Sequence, residues 1–260
     1  MRGVTPLAQN ALLAGSAFFA GAINSLAGGG TLLTYPALLA AGVSPIHANA
    51  TSTLSLVQGQ LAAFWGYRRT LAGAGKLLLA LALPSLAGSV AGALILLRLS
   101  EHSFALLVPW LILGATLLFL LSDRLHRRWR DRPEAPMTGG RLTTLIAVQF
   151  AVAIYGGFFG AGQSILMLAT LGLCGMRDLD RMQGFKNFAA AVINGVAMTL
   201  FIIGGLIEWR PAIVMAIAAT VGGYAGAHAA QRIPKRMARA TIIVIGLSAA
   251  AMTFYKAFSR

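Results

Sequence analysis

Long apolar stretches alternate with short polar breaks along nearly the whole chain. Because a helix that crosses the hydrocarbon core of a bilayer needs about 20 predominantly apolar residues, the longer stretches predict membrane helices. In the first half we predict helices at about 9–27, 31–43, 48–66, 74–97 and 103–122. The second half repeats this order, with predicted helices at about 142–159, 163–175, 184–207, 210–231 and 240–258. The pattern therefore predicts an all-α, polytopic membrane protein.

The composition indicates that most of the chain is surrounded by lipid. Of the 260 residues, 57% are hydrophobic and 11% are charged, and the mean hydropathy is +0.75, whereas soluble domains carry about 25% charged residues. The net charge of +14 arises from basic residues in short loops between apolar runs. The preference of cytoplasmic loops for Lys and Arg explains these residues, so a nucleic acid is not expected as a partner.

The two halves resemble each other beyond their hydropathy. Residues 27–32 (AGGGTL) align with 159–164 (FGAGQS), and residues 49–52 (NATS) align with 184–187 (GFKN), at offsets of 132 and 135. This order of matches predicts an internal duplication. The predicted boundaries are residues 1–122 for the first membrane repeat, 123–141 for a basic cytoplasmic linker and 142–260 for the second membrane repeat.

The placement of basic residues predicts that the second repeat is inserted upside down. The segment 124–141 holds six arginines and is therefore placed in the cytoplasm. In the first half, Arg68 and Arg69 place the loop after the third helix inside. In the second half, the basic loops are those before the third helix, with Arg177 and Arg181, and after the fourth. Equivalent loops thus face opposite sides, which is the inverted-repeat architecture of many secondary transporters.

The glycine-rich breaks predict hairpins that turn inside the membrane. The run 31–43 has about 13 residues and would be about 20 Å long as a helix, which is shorter than the hydrocarbon thickness of about 30 Å. Each repeat should therefore begin with a re-entrant or broken helical hairpin, followed by three transmembrane helices. Since the two hairpins would enter from opposite faces, their tips at Gly28–Gly30 and Gly160–Gly162 are expected to meet near the midplane.

A helix that begins at such a tip can bind an anion. Its first N–H groups lack intrahelical partners, its dipole favours negative charge, and glycine allows a ligand to approach the backbone closely. Thr31 in the first half, and Gln163 with Ser164 in the second, add side-chain donors. The alternative interpretation is that these glycines only permit tight helix packing. We adopt that packing interpretation for two other pairs, Gly88 with Gly92 and Gly222 with Gly226.

Polar residues inside apolar runs supply further candidates, because an amide without a partner in hydrocarbon is costly and should face the bundle interior. About half of them could simply join helices by hydrogen bonds, whereas those that adjoin the predicted tips, chiefly Asn24, Thr51, Ser52 and Asn187, are better ligand candidates. Lys186 could bind the anion directly or extend its ammonium group to the cytoplasmic surface. The predicted substrate-binding residues are Asn24, Gly28, Gly29, Gly30, Thr31, Thr51, Ser52, Gly160, Gly162, Gln163, Ser164, Lys186 and Asn187.

No set of residues for catalysis is visible in the sequence. The chain has only seven Asp and Glu residues, which cluster in predicted loops, and its single cysteine, Cys174, lies in an apolar stretch. No Walker lysine motif follows either glycine-rich break. We therefore expect a carrier for a small anion and expect neither an enzyme nor a bound metal or cofactor.

Several segments together resemble one family of membrane proteins. They are GAINSLAGGGT at 21–31, Pro36, NATST at 49–53, YRR at 67–69, GGFFGAG at 156–162 and FKN at 185–187. With these residues the chain is similar to the TauE/SafE sulfite exporter family, also called the 4-toluene sulfonate uptake permease family. The resemblance implies a multi-pass protein of the bacterial inner membrane that moves sulfite, sulfoacetate or another organosulfur anion.

The resemblance and the predicted anion site together favour a secondary transporter, expected to export sulfite or an organosulfonate bound between the two tips. The alternative is a membrane carrier or channel for another small solute, such as a metal ion, a nucleobase or a different organic anion. The sequence leaves open the direction of transport, the coupling ion and whether the chain forms a homo-oligomer.

Overall fold

The structure is an all-helical bundle of ten α-helices in the part of the chain that it describes. The computed structural model describes the backbone of residues 6–26, 29–130, 138–229 and 235–258, and the side chains of 7–24, 29–122, 138–225 and 243–255. The first five helices are α1 (Pro6–Leu26), α2 (Thr31–Ala40), α3 (Pro45–Tyr67), α4 (Gly75–Arg98) and α5 (Glu101–Arg130). The second five are α6 (Gly139–Phe158), α7 (Gln163–Leu173), α8 (Leu179–Ile203), α9 (Trp209–Ala229) and α10 (Lys235–Phe258).

The predicted all-α membrane architecture is confirmed, although some helices are longer than their apolar runs. Within the described residues, four helices are long and apolar enough to cross a membrane: α4, residues 101–122 of α5, α6 and α8. The α5 helix continues to Arg130 because the basic segment after residue 122 contains good helix formers and no glycine or proline. The α8 helix begins five residues before its predicted start, since the Asp178 carboxylate accepts hydrogen bonds from the N–H groups of Asp180 and Arg181.

Two helical hairpins, α1–α2 and α6–α7, open the two halves of the chain. The open end of the first is closed by the Gln9 side chain, whose Nε2 donates to the Ala41 carbonyl at 2.6 Å. The open end of the second is closed by Cys174, whose Sγ donates to the Arg141 carbonyl at 3.6 Å. The returning helices α2 and α7 have 10 and 11 residues, about 15 Å each and too short to span a bilayer. The predicted broken hairpins are therefore confirmed.

The two hairpins enter the bundle from opposite ends. Three residues after Ala41, the Ser44 hydroxyl donates to Glu101 Oε1 at 2.7 Å, so the first hairpin opens where α4 joins α5. Cys174, at the open end of the second hairpin, packs in one apolar cluster with Leu71 of the connection between α3 and α4. Because consecutive connections lie at opposite ends of the bundle, the halves are inverted relative to each other.

Helix packing is nearly unchanged when the two halves are exchanged. The first helix of each half packs along the fourth helix of the other, giving the pairs α1–α9 and α6–α4. The third helices, α3 and α8, pack against each other, as do the fifth helices, α5 and α10. This arrangement is that of an inverted-repeat bundle with a pseudo-two-fold axis between α3 and α8.

Small residues allow the close α4–α6 and α1–α9 contacts. A Cβ atom on Gly88 would lie 2.6 Å from the Phe150 carbonyl oxygen, and one on Gly92 would overlap the Ile154 carbonyl oxygen. Gly222 meets the backbone of Phe18 in the same way. The packing interpretation of these three glycines agrees with their surroundings, and Gly226 lies outside the residues whose packing is described.

A Gly92→Val substitution should separate α4 from α6 and destabilise the fold. The valine side chain would collide with the Ile154 carbonyl, which is backbone and cannot move aside as a side chain can. We therefore expect a loss of about 1–3 kcal/mol in the free energy of unfolding. Thermal unfolding of the purified protein in detergent measures this loss. Gly114→Val on α5 is the matched control, since a Cβ there meets no atom within 4 Å; equal unfolding temperatures for the two variants would contradict the prediction.

Candidate functional site

The tips of the two hairpins border one small polar cavity in the middle of the bundle. The cavity has a volume of about 20 Å³, which is room for roughly one or two water-sized groups. It lies at mid-depth, because its lining includes the central part of α3 and a residue near the middle of α8. The lining residues are Asn24, Gly29, Thr31, Thr53, Leu56, Gln60, Phe159, Gly160, Gln163, Ser164 and Asn194.

The first tip is fixed by the Asn24 side chain. The backbone N–H of Gly30 donates to Asn24 Oδ1 at 2.9 Å. Since a backbone N–H can only donate, the oxygen of the carboxamide must face Gly30, and the amide hydrogens remain available for other acceptors. Thr31, the first residue of α2, also borders the cavity, and its hydroxyl makes no hydrogen bond within the described residues. Gly28, predicted as part of this tip, lies outside the described residues.

The second tip is a tight turn that depends on glycine. Gly160 and Gly162 have φ values of +77° and +79°, a left-handed conformation that other residues rarely adopt. The Tyr155 hydroxyl of α6 donates to the Ala161 carbonyl at 2.5 Å and stabilises the turn. This geometry places the first turn of α7, with Ser164, at the cavity wall. The N–H of Ser164 finds no backbone acceptor within the described part of the chain.

The cavity offers polar groups but no formal charge among the described residues that line it. Its side chains include four carboxamides and three hydroxyls, and Asn194 Nδ2 donates to Gln60 Oε1 at 2.8 Å. The Gln163 side chain is 2% exposed, and its Oε1 has no hydrogen-bond partner among the described residues. With the N-termini of α2 and α7 at the wall, the positive ends of two helix dipoles supply the electrostatic attraction for an anion.

Thr51 and Ser52, two of the predicted site residues, do not line the cavity. The Thr51 hydroxyl accepts a hydrogen bond from the Glu208 N–H at 3.1 Å, and the Ser52 hydroxyl lies 2.6 Å from that of Thr34. Both side chains are fully buried and join neighbouring segments of the bundle. They lie on α3 at the side of the cavity nearer the Glu101 end.

Lys186 and Asn187 lie on α8 between the cavity and the end of the bundle at which α8 begins. Lys186 is about 12 Å along the helix axis from Asn194. Its side chain is 1% exposed, so the ammonium group does not extend to the surface, and it forms no ion pair within the described part of the chain. Asn187 is 3% exposed, and its Nδ2 has no hydrogen-bond partner among described residues. Both are buried polar groups close to the site.

Five lining residues were not among the predicted site residues: Thr53, Leu56, Gln60, Phe159 and Asn194. A sequence signal for three of them exists, because positions 53, 56 and 60 follow the i, i+3, i+7 spacing of one helix face. Asn194 is seven residues after Asn187, which gives the same face of α8. Phe159 carries no polar signal, and only the structure brings it to the cavity.

An aromatic cluster lies between the cavity and the end of the bundle that carries Glu101. The ring of Phe159 contacts Tyr35 at a centroid distance of 5.6 Å and Phe104 at 6.3 Å, and Phe104 also contacts Phe158. Phe104 lies three residues after Glu101, so this cluster lies between the cavity and the Glu101 end of the bundle.

Comparison with known proteins gives consistent matches over nearly the whole chain. The profile of the sulfite exporter TauE/SafE family matches residues 13–253. The probable membrane transporter protein YfcA of Escherichia coli (strain K12) is 32% identical over 255 residues, covering 94% of this chain and 90% of that protein. A probable membrane transporter protein of Haemophilus influenzae is 28% identical over 239 residues, with 92% and 91% covered. The probable membrane transporter protein ORF9 of Sinorhizobium sp is 28% identical over 238 residues, with 90% and 88% covered. No solved structure matches the chain.

Proposed function

Because the chain belongs to the sulfite exporter TauE/SafE family and is a membrane transporter of the bacterial inner membrane, we propose that it is a secondary carrier for a small sulfur-containing oxyanion. Sulfite or an organosulfonate binds at the midplane between the two hairpin tips. The observation that carries this proposal is the convergence of the N-termini of α2 and α7 on one cavity lined by hydrogen-bond donors.

The donors at the cavity suit an oxyanion. The oxygen of the Asn24 carboxamide faces Gly30 and accepts from its N–H, so the amide hydrogens on the other side are available to donate to a ligand. The hydroxyls of Thr31 and Ser164 and the first N–H groups of α7 add donors on the other sides. Hydrogen bonds to a charged acceptor are stronger than neutral ones, by roughly twofold. An anion is therefore favoured over a neutral solute of the same size.

The absence of a formal countercharge among the described lining residues fits a carrier better than a tight receptor. Transport requires that binding be strong enough for entry and weak enough for release. Dipoles and neutral donors give moderate attraction, whereas a desolvated ion pair would hold the anion more strongly. Lys186, buried between the cavity and the cytoplasm, adds a longer-range attraction without touching the first ligand shell.

The proposed set of substrate-binding groups follows from this geometry. At the cavity wall it comprises Asn24, Gly29, Thr31, Gly160, Gln163 and Ser164, with Gly30 and Gly162 shaping the two turns, and it also includes Gly28, which precedes Gly29 in the sequence. Along α8, Lys186 and Asn187 guide the anion towards the cytoplasm, while Thr51 and Ser52 support α3. The two inverted halves exchange conformations around the bound anion, which opens the cavity to each face in turn. No catalysed reaction is part of this cycle.

Flux into proteoliposomes tests the proposal. We expect saturable movement of radiolabelled sulfite or sulfoacetate, inhibited by unlabelled sulfite and sulfonates and unaffected by uracil or Zn²⁺. The described residues contain no group of three or more metal-ligating side chains, which is why Zn²⁺ serves as one of the negative controls. Flux that no sulfur oxyanion supports, but that uracil or a metal ion inhibits, would replace the proposed substrate class with one of those alternatives.

A further inference from the structure

Each hairpin tip is filled by a carboxamide, but the two carboxamides come from opposite helices of their hairpins. At the first tip Asn24 of α1 reaches over Gly30, where an added Cβ would lie 2.9 Å from Asn24 Nδ2. At the second tip Gln163 of α7 reaches back over Gly156 of α6, and a Cβ on Gly156 would collide with Gln163 Oε1. At the offset of 132 between the repeats, Gly156 occupies the position of Asn24, and Gln163 that of Thr31.

The two carboxamides also differ in what they bind. The Asn24 oxygen accepts from the Gly30 N–H and so stabilises its own turn. The Gln163 Oε1, which lies over Gly156, accepts no hydrogen bond within the described residues, although the residue is only 2% exposed and borders the cavity. An oxyanion can only accept hydrogen bonds, so the part of this carboxamide that can bind it is the Nε2 amide, whose N–H groups donate. The Asn24 carboxamide therefore caps the turn of the first tip, whereas the Gln163 carboxamide caps no turn at the second tip.

The position of this free group depends on residue 156 having no side chain. The space over Gly156 is bounded on its other side by Ile193 of α8, whose Cγ2 would lie 2.9 Å from an added Cβ. A methyl group at this position could be accommodated only by moving Ile193 or by pushing the Gln163 side chain into the small cavity. Because the carboxamide end is the more flexible of the two groups, we expect it to move first.

We infer that Gly156 is a positioning residue, which holds the Gln163 carboxamide at the second tip where it hydrogen-bonds the transported oxyanion. This inference rests on the proposed carrier function. It assigns unequal roles to the two tips: Asn24 holds the first turn through its oxygen and offers its amide hydrogens to the ligand, whereas the Gln163 carboxamide caps no turn and depends on Gly156 for its position.

Three variants separate positioning from packing. Gly156→Ala should raise the KM for transport at least about tenfold, the effect of losing one hydrogen bond to a charged group, and should lower the unfolding temperature. Gly156→Ala with Gln163→Ser should recover the unfolding temperature, because the shorter side chain removes the collision, while the KM stays raised. Gln163→Met, which keeps the length of the side chain over Gly156 and removes the amide, should raise the KM with no loss of thermal stability.

Gly195→Ala on α8 is the matched control, since a Cβ there meets no atom within 4 Å, and both its KM and its unfolding temperature should equal those of the wild type. The KM is measured with whichever solute of the competition panel the wild type moves. If that solute is not a sulfur oxyanion, the proposed substrate class fails while the positioning role is still tested. A wild-type KM for Gln163→Met, or for Gly156→Ala, would overturn the inference, and so would full recovery of the KM in the double variant.

Discussion

A Gly30→Leu substitution should abolish transport while the protein remains inserted in the membrane. A Cβ on Gly30 would lie 2.9 Å from both the Ala20 carbonyl oxygen and Asn24 Nδ2. The larger side chain must therefore push Asn24 away and break the hydrogen bond that fixes the first tip. The φ and ψ of Gly30, −56° and −30°, suit leucine, but the Ala20 carbonyl is backbone and cannot move aside, so we expect some loss of thermal stability together with the loss of the site.

We expect the rate of transport by Gly30→Leu to fall at least about a hundredfold, which corresponds to about 2.8 kcal/mol. Flux into proteoliposomes, normalised to the amount of inserted protein, measures this fall. Gly15→Leu is the control on the same hairpin, because a Cβ on Gly15 meets no atom within 4 Å. Transport by Gly30→Leu at a rate close to that of Gly15→Leu would show that the first tip takes no part in binding.

Replacement of Lys186 by methionine should give a protein that resists heat better but transports poorly. The lysine is buried and forms no ion pair within the described part of the chain. A lysine at the centre of a membrane helix costs about 2.5–3.5 kcal/mol on insertion scales, so methionine, of similar length and apolar, should stabilise the fold by about 1–3 kcal/mol. Transport should fall at least about tenfold, because the attraction of the ammonium group for the anion is lost.

Thermal unfolding and flux, measured on the same preparation, test the two halves of this prediction. Lys76→Met is the matched control, since Lys76 is exposed at the start of α4 and its loss should change neither quantity. Lys186→Met with improved thermal stability and wild-type flux would assign Lys186 no role in transport. Reduced thermal stability would instead indicate that its ammonium group binds carbonyl oxygens in the folded protein.

The fold could be predicted from the sequence because the hydropathy pattern, the placement of charges and the positions of glycines each report a separate physical constraint. Apolar runs mark the residues in lipid, and the arginines predict which ends of the helices face the cytoplasm. The short runs after Gly30 and Gly162 cannot span the hydrocarbon, which predicts the hairpins. The same criterion could not give the ends of α5 or α8, because a helix continues into water wherever its residues and caps allow.

The candidate site could be predicted only in part from the sequence, because residues that are close along the chain need not be close in a helix bundle. Thr51 and Ser52 satisfy the polarity criterion, but their partners, Glu208 and Thr34, lie in other segments and turn them away from the cavity. The pairing of Gly156 with Gln163 cannot be read from either residue alone. It requires the distance across the hairpin, which the sequence does not contain.

The exchange symmetry of the packing has a thermodynamic consequence for a carrier of this design. When each half adopts the shape of the other, nearly every helix contact that is lost on one face is replaced by its equivalent on the other. In the proposed transport cycle the outward-open and inward-open forms would then be close in energy, and they would differ through positions at which the halves are unlike, such as Asn24 against Gly156. In the proposed carrier the unlike positions would therefore change the populations of the two forms, and with them the apparent affinity on each side, but not the direction of net flow.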